Sequence, residues 1–153
     1  WNKIPELDAL VVGVILSGSP FSVLDNKSPR PDLSQIKGKL PLLGVCFGAQ
    51  YLSHHFGGEV LPSSIREYGR AHLSYVDESH ILTKGMTNGS QVWMSHGDSI
   101  AQLPQGSVRM CSTADVENAG YQFVDEHTFG VQFHPELSQT NGLKLLSNFI
   151  TYF

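Results

Sequence analysis

A cysteine between two glycines is the residue of this chain best suited to nucleophilic chemistry. Residues 44–48 have the sequence Gly-Val-Cys-Phe-Gly, the pattern of a nucleophile elbow with Cys46 in the nucleophile position. An apolar segment at 40–45 precedes it and a helical pattern at 47–56 follows, as a strand–turn–helix unit requires. The helix N-terminus would favour the thiolate, and the Phe47 amide could bind an oxyanion. We therefore predict a catalytic cysteine rather than one that only packs.

A histidine and a glutamate two residues apart follow another predicted strand. His134-Pro135-Glu136 comes directly after the apolar residues 130–133. In extended backbone, residues i and i+2 point the same way, so both side chains would project from one sheet edge. A histidine there could take the proton of Cys46, while the glutamate holds the other imidazole nitrogen. The spacing favours a Cys-His-Glu triad over a surface histidine beside a surface glutamate.

Six other histidines compete for the role of the base. His96, in Ser95-His96-Gly97-Asp98, is the main rival because its predicted loop follows a short strand and could line the same cleft. His54 and His55 are predicted to point away from the cleft or to pack, and His72, His80 and His127 to be ordinary surface residues. No pair has a convincing zinc spacing, so no metal site is predicted.

The turn after the first predicted strand could supply a second oxyanion donor. It has the sequence Ser17-Gly18-Ser19-Pro20, and no Gly-Lys-Ser follows, so it is not a Walker loop. A nucleophile elbow needs a second amide from a neighbouring loop. That requirement favours an oxyanion-binding role for this turn over a plain turn.

The elements that position these residues have an α/β pattern. Residues 10–16 form an apolar run typical of a strand buried on both faces of a parallel sheet. Further short strands are predicted at 71–76, 91–94, 108–111, 121–124 and 130–133. Leu143, Leu146, Ile150 and Phe153 fall at helical spacing, which predicts an amphipathic helix at the end of the chain. We expect one α/β domain with a central, mostly parallel sheet.

Composition excludes several classes of protein. The chain has 153 residues, 41% of them hydrophobic and 16% charged, with a net charge of -4, which excludes a disordered, collagen-like or coiled-coil chain. The chain has no block of basic residues of the kind that binds nucleic acid. No apolar run approaches the ~20 residues that span a bilayer. Two cysteines outside any C-x-x-C pattern suit a reducing compartment, which favours the cytoplasm.

Two motifs with their flanks carry a family resemblance. Residues 44–50, Gly-Val-Cys-Phe-Gly-Ala-Gln, and 130–136, Gly-Val-Gln-Phe-His-Pro-Glu, resemble those of the class I (triad) glutamine amidotransferases. Residues 66–71 and 92–98, Arg-Glu-Tyr-Gly-Arg-Ala and Val-Trp-Met-Ser-His-Gly-Asp, resemble segments of the GMP synthase family within that class. The resemblance runs from about residue 14 to the end. It implies a flavodoxin-like open, mostly parallel sheet flanked by helices, with a small antiparallel extension.

The resemblance also implies a reaction, the hydrolysis of glutamine to glutamate and ammonia. Cys46 would attack the side-chain amide carbon, His134 would protonate the leaving ammonia and then activate water, and Glu136 would orient His134. The other implied site residues are Phe47, Gly18 and Ser19 at the oxyanion hole, and Gln50, Gly97 and Asp98 at the substrate.

A partner is implied as well. In the GMP synthase family the ammonia passes to an ATP-pyrophosphatase synthetase domain, in cis or in trans, that aminates XMP. No such domain is expected within residues 1–153, and ATP and Mg are expected only there, so this domain needs no cofactor. Neither nucleic acid nor a membrane is an expected partner.

Two departures from the family pattern bear on the site and the domain. The family often has Gly-Gly-Pro where this chain has Gly18-Ser19-Pro20; if the Ser19 amide needed a positive φ, the serine would be strained and the oxyanion hole unformed at rest. The family also begins with a strand and a helix for which residues 1–9 leave no room. The sequence is therefore interpreted as an N-terminally incomplete glutaminase domain.

Three alternatives stay open at this point. The chain could be the glutaminase of another amidotransferase, serving anthranilate, CTP or carbamoyl phosphate synthesis. It could be a catalytically silent domain that regulates a synthetase, or a γ-glutamyl peptidase that uses the same triad.

Overall fold

A seven-stranded sheet with two helices forms the fold in the computed structural model of the chain, which describes residues 3–137 and 139–153. The strands, in chain order, are β1 Val14–Leu16, β2 Leu42–Val45, β3 Glu59–Val76, β4 Gln91–Gln102, β5 Ser107–Thr113, β6 Gly120–Phe123 and β7 Thr128–Val131. Helix α1 spans Phe47–His55, helix α2 spans Gly142–Tyr152, and a 3-10 helix spans Ile81–Thr83. Neither α1 nor α2, nor any other helix in the described ranges, is long and apolar enough to cross a membrane.

The parallel part of the sheet consists of β1, β2 and β7, which are neighbours in that order. Gly44 of β2 is in register with Leu16 of β1 on one side and with Gly130 of β7 on the other. Both β2 and β7 are buried along their whole length, as expected for strands covered on both faces. Because the three strands run the same way, the segments that follow them meet at one edge of the sheet.

The first strand differs from its prediction. Only Val14–Leu16 is a strand, and it lies at an edge of the sheet rather than inside it. Leu10 and Val12 are 85% and 76% exposed, so the expectation of a strand buried on both faces was wrong. An apolar run predicts an extended segment, whereas its burial depends on neighbours that the run does not specify. Trp1 and Asn2, in the segment interpreted as too short for the family's first strand and helix, lie outside the described residues.

The antiparallel part of the sheet is larger than predicted. The α/β class is confirmed, but β3, β4, β5, β6 and β7 are joined by antiparallel pairs, so the sheet is mixed rather than mostly parallel. Strands β3 and β4 form a long hairpin that extends well beyond the predicted strands at 71–76 and 91–94. The added part of β3 is mostly exposed, and no apolar alternation marks it in the sequence.

The C-terminal helix is confirmed, and its predicted buried face is correct in part: Leu146 and Phe153 pack against the core, whereas Leu143 and Ile150 are exposed. Ile150 is 71% exposed, whereas Leu145 and Phe149 are buried. Two rows of apolar residues overlap on the surface of this helix. The row that contains Phe149 packs inward, because the Phe149 ring contacts the rings of Phe129 and Phe153.

Close packing between α1 and the parallel strands depends on two glycines. A Cβ on Gly44 would lie 2.7 Å from the carbonyl carbon of Gly48, and a Cβ on Gly48 would overlap the backbone oxygen of Leu16. Contacts this short do not occur for real side chains, so both positions need glycine. Helix α1 therefore begins directly against the ends of β1 and β2.

We expect Gly48→Ala to lower the free energy of unfolding by about 1–3 kcal/mol, because the methyl group would push α1 away from β1. Alanine is the better helix former, so a net loss reports the overlap itself. Gly13→Ala is the control, since its Cβ would only reach ordinary contact with the Pro41 oxygen at 3.4 Å. Urea unfolding of both variants checks this, and equal midpoints for the two would contradict it.

Candidate active site

One cleft at the carboxyl ends of the parallel strands contains all the predicted site residues. It has a volume of about 830 Å³, within the range of small-molecule sites. The turns that follow β1, β2 and β7 form one side, and the hairpin of β3 and β4 forms the other. Its lining includes Gly18, Ser19, Cys46, Phe47, Gln50, Gly97, Asp98, His134 and Glu136.

Cys46 has the backbone geometry of a nucleophile elbow. It lies between β2 and α1 with φ 52 and ψ -105, and only one other non-glycine residue of the described chain has a positive φ. Such a conformation is costly and persists because the surroundings impose it. The Cys46 N–H donates to Val131 O at 2.8 Å, and its carbonyl accepts from Gln50 N at 3.0 Å. These bonds join the strained residue to β7 and α1 and hold its side chain at the cleft.

Burial determines the protonation state of the Cys46 thiol. The side chain is in a desolvated position, which raises the pKa of the thiol to about 11, and the charge of Glu136 also raises it. Hydrogen bonds from the Phe47 amide and the Gln132 side chain lower the pKa but do not compensate. The amide at the helix N-terminus therefore favours the thiolate, as expected, but desolvation outweighs its effect and the thiol stays protonated in this resting structure. In agreement, the thiol donates to Ser95 O at 3.4 Å.

His134 and Glu136 form the hydrogen bond that the triad hypothesis requires. His134 Nδ1 lies 2.6 Å from Glu136 Oε1. A carboxylate only accepts, so Nδ1 carries the proton and Nε2 is the free lone pair. The His134 N–H donates to Trp93 O at 2.9 Å, which anchors the turn after β7 to β4.

Gly18 lies beside both the imidazole and the cysteine. A Cβ at this position would lie 3.1 Å from His134 Cε1 and 3.8 Å from Cys46 Cβ, so both side chains approach the same glycine. No hydrogen bond joins Cys46 to His134 in the part of the chain that the structure describes. Ser19 has no positive φ, so the strain considered for it is absent. Donation by the Ser19 amide stays a prediction.

Two of the predicted substrate residues, Gln50 and Asp98, are joined by a hydrogen bond to the Asp98 backbone carbonyl. Gln50, 4% exposed, donates from Nε2 to Asp98 O at 2.9 Å and to Gln132 Oε1 at 3.2 Å. Asp98 Oδ2 accepts a hydrogen bond from Ser22 of the long loop after β1. Gly97 and Asp98 lie within β4, where Asp98 pairs with Pro62, and not in a loop as predicted. The polar sequence there suggested a loop, but pairing with β3 keeps it extended.

His96 is placed as a support for Asp98 rather than as a base. It is 4% exposed, and Nδ1 lies 2.7 Å from Asp98 O while Nε2 lies 3.3 Å from Glu67 Oε2. Burial raises the pKa of the Glu67 carboxyl, which the bond to His96 opposes. Both imidazole nitrogens are thus engaged, and neither is directed at Cys46.

Two of the other histidines have contacts worth noting. His55 is exposed with its ring stacked on Tyr51, and neither His54 nor His55 lines the cleft, as predicted. His80 accepts from Leu82 N and contacts Gln122, so it is not the ordinary surface residue predicted. Among the described residues, no group of three or more His, Cys, Asp or Glu is arranged to hold a metal ion.

Sequence reasoning missed one buried neighbour of Cys46 and two residues that line the cleft. Gln132 is fully buried and donates from Nε2 to Cys46 Sγ at 3.9 Å. The i, i+2 alternation that links His134 to Glu136 also points to Gln132, and it is the signal that could have found this residue. Arg66 and Tyr68 line the cleft from the exposed part of β3, and no local signal indicates this.

Comparison with known proteins gives one family. The model of the family "Glutamine amidotransferase class-I" matches residues 2–152. Proteins named GMP synthase [glutamine-hydrolyzing] are similar along the chain: that of Christiangramia forsetii is 54% identical over 98% of this chain, and that of Cytophaga hutchinsonii 52% over 99%. The chain spans about 30% of the length of each of these relatives.

Solved structures with the same fold are also similar. A candidate GMP synthase subunit from Thermoplasma acidophilum has a TM-score of 0.68 and 31% identity, over 72% of this chain and 56% of its own. A glutamine amidotransferase from Thermotoga maritima has a TM-score of 0.58 and 25% identity, over 72% of this chain and 45% of its own. The resemblance inferred from the motifs is confirmed.

We expect the alkylation of Cys46 by iodoacetamide to rise about tenfold per pH unit between pH 7 and 9, because only the thiolate reacts and the pKa is about 11. Glu136→Gln should speed alkylation at pH 8 by about two- to fivefold, since it removes a half-exposed, screened charge that disfavours the thiolate. Glu117→Gln, in an exposed ion pair with Arg109, is the control. Mass spectrometry of the labelled cysteine gives the rates; a rate that levels off below pH 8 would refute the raised pKa.

Proposed function

The chain belongs to the class I glutamine amidotransferase family, and we propose that it hydrolyses glutamine to glutamate and ammonia with Cys46, His134 and Glu136 as a catalytic triad. The hydrogen bond of 2.6 Å between His134 Nδ1 and Glu136 is the observation that supports this most. It leaves Nε2 as the proton acceptor in a cleft that also contains the cysteine.

The resting thiol defines what the histidine must do. Because burial keeps Cys46 protonated, attack requires that His134 Nε2 take the proton as sulfur bonds to the amide carbon of glutamine. Glu136 then stabilises the imidazolium. The negative oxygen of the tetrahedral intermediate accepts hydrogen bonds from the amides of Phe47 and Ser19.

Two further steps complete the reaction. The C–N bond breaks as His134 returns the proton to the leaving nitrogen, which gives ammonia and a γ-glutamyl thioester on Cys46. Water then attacks the thioester carbonyl carbon, with His134 as the base, and glutamate leaves as the thiol re-forms. Each proton taken by the histidine is returned, so the enzyme is regenerated.

The region of the cleft around Gln50, Gly97 and Asp98, called the substrate seat below, suits a zwitterionic amino acid. Gln50 donates to the Asp98 carbonyl, and Gly97, Asp98 and Arg66 line the cleft from the hairpin of β3 and β4. The carboxylate of Asp98 and the guanidinium of Arg66 have the signs that the ammonium and carboxylate of glutamine require. We expect the amino-acid end of the substrate to lie between them.

The ammonia is proposed to aminate XMP to GMP on an ATP-pyrophosphatase synthetase domain, in cis or in trans. The relatives that support this carry the name GMP synthase and are about three times as long as this chain. ATP and Mg would be needed by that domain only.

Cys46→Ala is expected to lower ammonia release from glutamine by at least about 10³-fold, because no thioester can form. Cys111→Ala is the control, since Cys111 is the other buried thiol and does not line the cleft. Ammonia is measured by coupling to glutamate dehydrogenase. Activity that persists in Cys46→Ala would disprove the mechanism.

With the synthetase domain, ATP, Mg and XMP, glutamine is expected to support GMP formation in the wild type. In Cys46→Ala, ammonium should support GMP formation while glutamine should not, since only the ammonia supply is lost. Product analysis by chromatography checks this. Stimulation of ammonia release by chorismate or UTP with their own synthetases, and not by XMP, would assign the chain to another amidotransferase.

A further inference from the structure

Gln132 occupies a position that the proposed reaction does not explain. Its side chain is fully buried between the nucleophile and the substrate seat. Oε1 accepts from Gln50 Nε2 at 3.2 Å, and Nε2 donates to Cys46 Sγ at 3.9 Å. A fully buried amide is costly unless it is hydrogen-bonded, and both polar atoms of Gln132 are partnered by residues of the proposed site.

The direction of this chain of hydrogen bonds is set by its far end. The carbonyl oxygen of Asp98 can only accept, so Gln50 must present its NH₂ group there. The second hydrogen of that NH₂ group then faces Gln132, which must present Oε1 in return. As a result, the NH₂ group of Gln132 faces the sulfur. A backbone carbonyl of the substrate seat thus determines that Cys46 meets a donor and not an acceptor.

We propose that Gln132 is a catalytic residue whose side-chain N–H stabilises the negative charge on Cys46 sulfur as the thiolate forms. The inference rests on the proposed role of Cys46 as the nucleophile. A distance of 3.9 Å is long for a bond to a neutral thiol, and charge-assisted hydrogen bonds are shorter and stronger, so the contact gains most when the proton has left. The donor therefore acts in the step that burial makes difficult.

Neutral hydrogen-bond donors, rather than charged groups, stabilise the thiolate of Cys46. The charged and titratable side chains that line the cleft from β3, β4 and the turn after β7 are Arg66, Tyr68, His96, Asp98, His134 and Glu136. Glu136 disfavours the thiolate, and His96 is engaged with Asp98 and Glu67. The Phe47 amide and the Gln132 side chain are the two donors that favour it.

Gln132→Glu tests the donor with little change of volume. A carboxylate keeps the acceptor for Gln50 but places an oxygen against the sulfur. Alkylation of Cys46 by iodoacetamide at pH 8 should fall at least about tenfold, the effect of one pKa unit on the thiolate fraction. In the glutaminase assay kcat should fall by a similar factor with KM within about twofold, since the Gln50 contact remains.

Gln132→Met and Gln122→Glu complete the set. Methionine removes donor and acceptor together, so alkylation should slow by about threefold or more and KM should rise because Gln50 loses its partner. Gln122, half-buried on β6, donates to Glu126 O away from the cleft, so Gln122→Glu should react like the wild type. If Gln132→Glu does not fold, the alkylation rate of Gln132→Met decides alone.

The outcomes separate this inference from the proposed function. Alkylation of either Gln132 variant at the wild-type rate would overturn the role of Gln132, whatever the glutaminase result. Slowed alkylation in a protein whose wild type releases no ammonia from glutamine would uphold the contact and overturn the function. Alkylation needs no substrate, so the two results are independent.

Discussion

The close approach of the first turn of α1 to the ends of β1 and β2 is the constraint on which the site depends. Glycines at 44 and 48 permit it, and the turn between them holds Cys46 at φ 52. The strain of that residue is balanced by the packing of a helix against strands buried along their whole length. The catalytic hypothesis therefore rests on a packing requirement, because a wider turn would remove the sulfur from the cleft.

Burial of Cys46, the proposed nucleophile, makes its thiolate unfavourable, and the proposed reaction requires the surrounding groups to offset this cost. A rise in the thiol pKa from 9.0 to about 11 corresponds to about 3 kcal/mol against the thiolate, whereas a helix N-terminus contributes about 0.3–1 kcal/mol. Desolvation outweighs the dipole, so the thiolate must be formed with help from a base and from neutral donors. His134, held by Glu136, fits the first role, and Gln132 fits the second.

Local patterns were sufficient where the chemistry is local. The elbow around Cys46 and the pair His134 and Glu136 follow from spacing within five residues, and the structure places all three on one cleft. Gln132 escaped notice although the same alternation indicates it. The extended conformation of Gly97 and Asp98 could not be predicted, because it depends on backbone pairing with Pro62 and its neighbours in β3.

The sequence by itself determined the family and the α/β class and indicated the proposed catalytic groups, because glycine spacing and strand–turn–helix order are properties of neighbouring residues. Only the tertiary structure decided three features. These are the protonation state of Cys46, the hydrogen bonds of His96 to Asp98 and Glu67, and the fact that Gln132 presents a donor to the sulfur. These depend on desolvation and on hydrogen bonds that, apart from the one between His96 and Asp98, join residues 29 to 86 positions apart. Such contacts arise when strands meet across the sheet, and no periodicity in the chain records them.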